Sequence, residues 1–531
     1  MNQSLRSLRF LFIILIIAGM LTAVSCQGSS ELLPTPILPP PPELNQTATA
    51  LSAGTGLEPT AAAAAQTAVP STEPTADPNE TATPPPAPTP TLFPTATPAT
   101  DPAMKAVSAA SLPPTSRDLV FIAAGALKLW NHNNSQVQTL YGSAADPGEV
   151  RDAPFAQHAG DITQLSVSAD GNRIVAARLT HSTMISPTVA TGEPPVSIPY
   201  TASELLFLDV VSKDSWTIVP TITDLQDVAI SSNQKQVAFI GGKLEYQASP
   251  NLDVMPEASH VFVISTPDGT ARPVATCTDF CGNLTWHPTN DFFTWTDRAG
   301  LWMFNLSGSS PQLLLTNQTD NPATTRVFQG ISWATNGRFL LLWQQAWEGG
   351  SRVVYDVPTG QIMPVPDSFV YAEPFPTEVS WMRDDRLLVL RSAISGSSRQ
   401  AAIELWRVDA DAGELVREES YQPPGAFSAA GGLHLENGRF AYALLNQNDA
   451  QTSGLYRQTS LSATPERVNG LIPAFLAPEV VWVPDGSGAV AVQNGYVLYA
   501  PVSGEGLFDV TAVFGSQPHD FVWLPPGNSP R

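Results

Sequence analysis

The side chains that most often perform acid–base or metal chemistry are scattered along this chain of 531 residues. The H-E-x-x-H, G-x-S-x-G and P-loop motifs, which place such groups at productive spacings, do not occur. We therefore predict no catalytic residue, no metal site and no cofactor. A fold that gathers distant residues around a channel would still permit an enzyme. The seven histidines are His132, His158, His181, His260, His287, His434 and His519.

Acidic residues are abundant, but they form no recognisable cation site. The stretch Asp409-Ala410-Asp411-Ala412-Gly413 is shorter than a calcium-binding loop, which needs further oxygen ligands. The formal net charge is −22, and no basic stripe is visible that could neutralise phosphates. The composition therefore argues against a nucleic-acid or anionic membrane surface and is consistent with solubility through net repulsion.

The three cysteines fall into two groups. Cys277 and Cys281 lie four residues apart, and in an exported protein such a pair most simply closes a small loop as a disulfide. A metal site would require additional ligands, and no second cysteine pair is present. Cys26 stands apart from these two residues and belongs to a targeting signal.

Residues 1–26 have the features of an export signal. Arg6 and Arg9 precede an apolar run, Phe10 to Leu21, which is shorter than the roughly 20 residues that a transmembrane helix needs. The segment ends on Ala23-Val24-Ser25-Cys26 and resembles a bacterial lipoprotein signal, although Ala23 stands where that family usually has Leu. The resemblance implies a lipid on Cys26, attachment to the membrane and a location at the cell membrane or cell surface. Ordinary signal cleavage is the alternative.

Residues 27–115 are rich in Pro, Thr and Ala, as in Pro84-Pro85-Pro86-Ala87-Pro88. A segment of this kind buries too little apolar surface to fold, and its prolines favour extended polyproline conformations. We predict a disordered stalk. Recognition of its proline runs by another protein is the alternative, and O-glycosylation of its threonines stays open.

From residue 116 to residue 531 a short β-rich phrase recurs, exemplified by Val481-Trp482-Val483-Pro484-Asp485-Gly486. In each copy an apolar strand leads to a turn, often of the Asp-Gly or Asn-Gly type that suits a tight hairpin. The copies lie roughly 48 residues apart, which is the period of four-stranded propeller blades. Their aligned anchor residues are Val167, Ile230, Trp286, Trp333, Trp381, His434, Trp482 and Trp523.

The ends of this region predict how the ring closes. Asp118 to Trp130 reads as a unit that lacks its first strand, and Phe521-Val522-Trp523-Leu524 is a first strand with no unit after it. Pairing the two segments would complete one blade and remove two open sheet edges. We predict an all-β propeller of eight blades, with seven as the alternative if one weak unit is misread. The tryptophan anchors are interpreted as blade-to-blade packing rather than as a platform for sugars.

The phrases Val483-Pro484-Asp485-Gly486 and Ser168-Ala169-Asp170-Gly171 resemble the S-P-D-G turns of TolB-like and WD-repeat-like propellers of bacterial envelope proteins. This resemblance covers roughly residues 117 to 524. It implies a fold rather than an activity, because one fold hosts many functions.

Long connections collect on one face of such a propeller and carry aromatic residues. Aromatic side chains on loops that a rigid scaffold holds favour recognition. We therefore predict a binding or scaffolding module for an unknown protein or envelope component. Capping of the blade ends is the alternative role for each residue, and an enzyme acting on glycans or peptides at the central channel is the alternative function. The residues predicted for the binding face are Tyr200, Tyr246, Tyr371, Phe375, Tyr421 and Phe427.

Overall fold

The computed structural model describes most of the region after residue 103. The signal, Cys26 and residues 27–103 of the predicted stalk lie outside the described residues. The described ranges are 104–142, 158–185, 198–245, 258–266, 269–319, 321, 324–371, 377–393, 400–425, 428–446, 449–472, 479–503, 506–515 and 518–526.

The described residues form short strands and one four-residue helix. The first half of the chain contains β1 (Lys105–Ala106), β2 (Leu119–Ala123), β3 (Ala126–Asn131), β4 (Gln136–Tyr141), β5 (Ile162–Val167), β6 (Arg173–Ile185), β7 (Ile198–Asp209), β8 (Ser215–Thr223), β9 (Asp227–Ile230), β10 (Gln236–Gly241), β11 (His260–Ser265), β12 (Arg272–Thr276), β13 (Cys281–Trp286), β14 (Phe292–Asp297), β15 (Gly300–Asn305) and β16 (Gln312–Thr316).

The second half contains β17 (Val327–Trp333), β18 (Phe339–Ala346), β19 (Gly349–Asp356), β20 (Gln361–Pro364), β21 (Val370–Tyr371), β22 (Glu378–Trp381), β23 (Leu387–Arg391), β24 (Ala402–Asp409), β25 (Glu414–Tyr421), β26 (Ser428–His434), β27 (Phe440–Leu445), β28 (Gly454–Gln458), β29 (Glu466–Gly470), β30 (Glu479–Trp482), β31 (Gly488–Gln493), β32 (Tyr496–Pro501), β33 (Phe508–Asp509), the helix α1 (Thr511–Phe514) and β34 (His519–Trp523). No helix among the described residues has the length and hydropathy needed to cross a bilayer.

The strands form eight antiparallel blades in a ring, which confirms the predicted all-β propeller and its number of blades. Blades 2 to 8 begin at β5, β9, β13, β17, β22, β26 and β30, and each continues with the next three strands. Blade 1 combines β34 with β2, β3 and β4. In it Leu119 pairs with Trp523 and Val120 with Val522, so the predicted closure by the C-terminal strand is confirmed.

The burial of each strand follows from its place in the blade. The second strands are buried on both faces, as in β2, β23 and β27, because each lies between two neighbouring blades. The outermost strands β4, β12 and β16 contain only half-buried and exposed residues. Apolar residues form eight clusters, each drawing on two neighbouring blades. The core therefore lies in the seams between blades rather than within any one sheet.

The anchor tryptophans hydrogen-bond across these seams. Nε1 of Trp286 donates to the carbonyl oxygen of Ala229 at 2.9 Å, and Nε1 of Trp381 donates to that of Ser332 at 3.1 Å. In the closing seam Nε1 of Trp523 donates to the carbonyl oxygen of Val481 at 3.1 Å. Each acceptor residue directly precedes the anchor of the preceding blade, which explains the recurring phrase and confirms its interpretation as blade-to-blade packing.

The residues just before the propeller pack against blade 8. β1 pairs in parallel with β33, through Lys105 with Phe508 and Ala106 with Asp509. Leu112 lies in the apolar cluster of the seam between blades 8 and 1. Residues 104–115, which the sequence analysis assigned to the stalk, therefore contact the propeller.

Candidate interaction surface

A four-stranded blade has two ends. The turns between strands one and two and between strands three and four emerge at one end of the ring, which we call the turn face. The connections between strands two and three, and the links from blade to blade, emerge at the other end, which we call the loop face. Of the aromatic residues predicted for the binding face, those that the structure describes, Tyr200, Tyr371 and Tyr421, lie at strand ends near the loop face.

The structure places three of these six residues at least in part. Tyr200 lies in β7, and its side chain is buried. Tyr421 ends β25, where it packs against the cluster between blades 6 and 7, and burial raises its pKa to about 12. The backbone of Tyr371 pairs with Gly349. Tyr246, Phe375 and Phe427 lie outside the described residues.

Two exposed aromatic side chains on blade 5 were missed by the sequence analysis. Trp347 occupies the two-residue turn between Ala346 and Gly349, and it is 69% exposed. Phe369 precedes β21 and is 41% exposed. Trp347 is followed by Glu348 and Gly349 within a tight turn, so its side chain cannot pack into the apolar core of a blade seam. That pattern in the printed sequence could have identified the site.

Arg352 lies on the same hairpin as Trp347 and is buried. It is 8% exposed, and its guanidinium carbon lies 4.7 Å from the centre of the Trp343 ring. Nε of Arg352 is buried without a hydrogen-bond partner. Burial lowers the pKa of Arg352 to about 10, so the guanidinium remains charged at neutral pH. We call Trp347, Phe369 and Arg352 the blade 5 surface.

The backbone around Arg352 explains how its side chain is held. Trp343 and Arg352 are directly paired on β18 and β19. A Cβ on Gly350 would lie 2.2 Å from Cζ2 of Trp343, so only glycine leaves room for the indole at this position. Oγ of Ser368 accepts a hydrogen bond from the backbone N–H of Arg352 at 3.0 Å and donates to the carbonyl oxygen of Val365 at 2.7 Å. The hairpin and the edge segment after β20 therefore form one rigid unit.

The opposite side of the same seam contains a second buried arginine, Arg391. Nε of Arg391 donates to Oε2 of Glu404 at 2.8 Å, and both side chains are buried. Glu404 also accepts hydrogen bonds from Nε1 of Trp406 at 3.0 Å and from Nη1 of Arg417 at 3.1 Å. The Glu404 carboxylate is thus occupied by three donors of its own blade.

Carboxylates on the innermost strands hold neighbouring blades together. Oδ2 of Asp227 accepts the backbone N–H of Leu284 at 2.8 Å. The two carboxylate oxygens of Glu378 accept the backbone N–H groups of Gly431 and Gly432 at 2.8 and 3.1 Å. Within the described part of the chain, no three His, Cys, Asp or Glu side chains are grouped so that they could hold a metal ion. Cys277 and Cys281 form a disulfide across the link from blade 3 to blade 4.

The turn face has two shallow polar depressions among the described residues. One, of about 290 Å³, lies between blades 2 and 3 and is lined in part by Phe207, Lys235 and Trp216, which is 42% exposed. An adjoining one of about 340 Å³ is lined by hydroxyl, amide and carboxylate side chains, including Asn233 and Asp291. Nδ2 of Asn233 already donates to Asp291 at 2.7 Å. Trp216 thus provides an exposed tryptophan on the face opposite to Trp347.

Comparison with known proteins identifies no family. No protein-family model matches the chain, and no curated protein matches it. Among solved structures it is similar to dipeptidyl peptidase 4 of Porphyromonas gingivalis, with 11% identity, a TM-score of 0.45, and coverage of 75% of this chain and 59% of that chain.

A prolyl endopeptidase matches with 15% identity and a TM-score of 0.40 over 65% of this chain and 49% of that chain. TolB of Acinetobacter baumannii matches with 14% identity and a TM-score of 0.30 over 67% of this chain and 84% of that chain. The chain thus spans only about half to three-fifths of the two peptidases. At these identities and TM-scores the likeness assigns neither a family nor an activity, and the propeller fold follows from the strand order itself.

Proposed function

We propose that this protein is a lipid-anchored extracytoplasmic propeller that binds a protein of the cell envelope through the blade 5 surface. The observation that carries the proposal is the exposure of Trp347 in a two-residue turn on the loop face. An indole held in water on a rigid hairpin forgoes the stabilisation that burial of apolar surface provides. A partner that covers the ring would recover that stabilisation at little entropic cost.

The neighbouring residues support a protein partner. Tryptophan and arginine are enriched among the residues that contribute most to protein–protein binding, and charged residues other than arginine are depleted at interface centres. The blade 5 surface combines Trp347, Phe369 and Arg352 on one hairpin and its edge segment. Its scaffold is fixed by strand pairing, so binding would not need to order a loop first.

The membrane anchor in this proposal depends on Cys26 and on the apolar run before it. Two or more acyl chains on one residue would suffice for stable attachment. Cells fed a labelled fatty acid should incorporate the label into the wild-type chain and fail to incorporate it into Cys26→Ser. Label in neither chain, or equal label in both, would contradict lipidation at this residue.

Site-specific photocrosslinking in intact cells tests the binding surface. The full-length chain would carry p-benzoylphenylalanine in place of Trp347 or, as a matched control, in place of Trp216 on the turn face. We expect one discrete protein adduct from position 347 and none of that size from position 216. Adduct from neither position, or the same adduct from both, would refute the assignment of the partner to blade 5.

A further inference from the structure

Arg352 of blade 5 and Arg391 of blade 6 face the seam between these two blades. Leu341 and Val354 belong to the same apolar cluster as Val389 and Trp406, and side chains two residues apart on a strand share a face. Trp343 and Arg352 on blade 5 therefore face the same seam as Arg391 and Glu404 on blade 6. Among the described residues, Arg391 forms an ion pair and Arg352 forms none.

The face of β19 that carries Arg352 offers it no available carboxylate. Val354, two residues along the strand, is apolar, and Asp356, four residues along, accepts two hydrogen bonds from the guanidinium of Arg338. The negative charge of Glu378 attracts the Arg352 guanidinium, but the Glu378 carboxylate already accepts hydrogen bonds from two backbone N–H groups. A buried guanidinium without a bonded anion destabilises the fold.

The surroundings of Arg352 determine which anion could join it. Nε of Arg352 is buried and has no hydrogen-bond partner. Neither Nη atom is buried without a partner, so an anion would reach the guanidinium through its two Nη atoms. A planar carboxylate accepts two parallel hydrogen bonds in that geometry. The charge of Glu378 repels a dianion more strongly than a monoanion, which favours a carboxylate over a phosphate.

The exposed rings indicate where the carboxylate would come from. Trp347 lies beyond Arg352 at the turn, and Phe369 lies in the edge segment that runs along β19. Gly349 ends the turn that carries Trp347, and Gly349 and Gly350 pair with the segment that follows Phe369, so both rings are anchored to β19 a few residues before Arg352. We propose that Arg352 is the receptor for an Asp or Glu side chain of the partner protein. This inference rests on the proposed binding function, because the carboxylate belongs to the partner.

A small-molecule probe tests the receptor without the partner. The thermal midpoint and tryptophan fluorescence of the full-length protein would be measured with N-acetylglutamic acid α-amide, with N-acetylglycine and with phosphate, each against chloride at equal ionic strength. We expect the glutamate probe to raise the midpoint of the wild type and to leave that of Arg352→Met unchanged. N-acetylglycine, whose carboxylate is terminal, and phosphate should act more weakly. An equal response of wild type and Arg352→Met would overturn the proposal, as would a stronger response to phosphate.

The partner captured at position 347 provides the second measurement. We expect Arg352→Met to weaken its binding by at least about 30-fold, since removal of one member of a desolvated ion pair typically costs 2 kcal/mol or more. One Asp→Asn or Glu→Gln change in the partner should have a similar effect, and the two changes together should be no worse than either alone. A partner that binds Arg352→Met with unchanged affinity would refute the carboxylate receptor and leave the proposed function intact.

Discussion

Two buried arginines in one seam have opposite surroundings. Arg391 shares its carboxylate, Glu404, with Trp406 and Arg417, whereas Arg352 stacks on Trp343 without an ion pair among the described residues. The same contrast recurs elsewhere in the ring. Nδ1 of His287 accepts two backbone N–H groups, whereas Nδ1 of His434 is buried with no partner. Nε1 of Trp381 donates across a seam, whereas Nε1 of Trp482 is buried with no acceptor.

Some buried polar side chains therefore stabilise the ring through hydrogen bonds or ion pairs, whereas others have a donor or acceptor atom without a partner. A satisfied buried polar group destabilises the protein strongly when its partner is removed, whereas an unsatisfied one can be replaced at little cost. Loss of stability on substitution therefore distinguishes the two classes. Of the unsatisfied groups, Arg352 is the one on the hairpin that carries the exposed Trp347.

The largest effect is expected at Arg391, the arginine that has an ion pair. Glu404→Gln would leave Arg391 buried without a counter-charge, and we expect it to lower the free energy of unfolding by about 3–5 kcal/mol, measured by urea denaturation. The matched control is Glu466→Gln, because Glu466 pairs with Arg439 and Arg457 but is 55% exposed. That change should cost less than about 1 kcal/mol. Equal losses in the two variants would remove the basis of the comparison.

The histidine pair is expected to give an intermediate effect that depends on pH. Burial lowers the pKa of His287, and its hydrogen bond to the carbonyl oxygen of Gly337 opposes this shift only in part. The unfolded chain therefore binds more protons than the folded protein just below pH 6.5, the approximate pKa of an unperturbed histidine. The contribution of His287 to stability is complete above that pH and decreases as the pH falls through it.

Urea midpoints at pH 7.5 and pH 5.5 would measure this dependence. His287→Gln, which does not titrate, should reduce the acid-induced loss of stability. His434→Gln should reduce it less, because protonation of Nδ1 of His434 breaks no hydrogen bond, whereas protonation of Nδ1 of His287 breaks two. Identical pH dependence in the wild type and His287→Gln would exclude this role for His287.

The tryptophan pair is expected to show the smallest effect. Trp381→Phe removes an indole N–H that bonds to the carbonyl oxygen of Ser332, whereas Trp482→Phe removes one that bonds to nothing. We expect Trp381→Phe to lower the free energy of unfolding by about 1 kcal/mol more than Trp482→Phe. Denaturation of the two variants side by side would measure the difference. No difference would mean that the seam hydrogen bonds contribute nothing net.

Much of the architecture could be predicted because its determinants repeat. An anchor such as Trp333 or Trp381 performs one task in successive blades, so its spacing reveals the blade even where the rest of the sequence differs. The closure was predictable because an incomplete first unit and a solitary last strand fit each other. The position of β1 was not predictable, since Lys105–Ala106 has no repeat partner and its parallel pairing depends on the exposed edge of blade 8.

The candidate surface was predicted only in its general position. The sequence indicated the loop face, but Tyr200 is buried in β7, and the exposed rings among the described residues of blade 5 are Trp347 and Phe369. Exposure at these positions depends on turn geometry rather than on residue type. Arg352 could not be identified from the sequence, because its lack of a counter-ion depends on its pairing with Trp343 and on the packing of two blades.

The completion of blade 1 by β34 has a consequence for the order in which the chain can fold. Leu119 pairs with Trp523, so the inner edge of the first blade stays unpaired until Trp523 has been synthesised. Blades 2 to 8 are built from consecutive strands, each of which can form as it emerges. The last step therefore joins segments about 400 residues apart, and such distant pairings form slowly. The blade whose strands are made first is therefore the last to be completed, and synthesis that stops before Trp523 would leave its strand edge open to other chains.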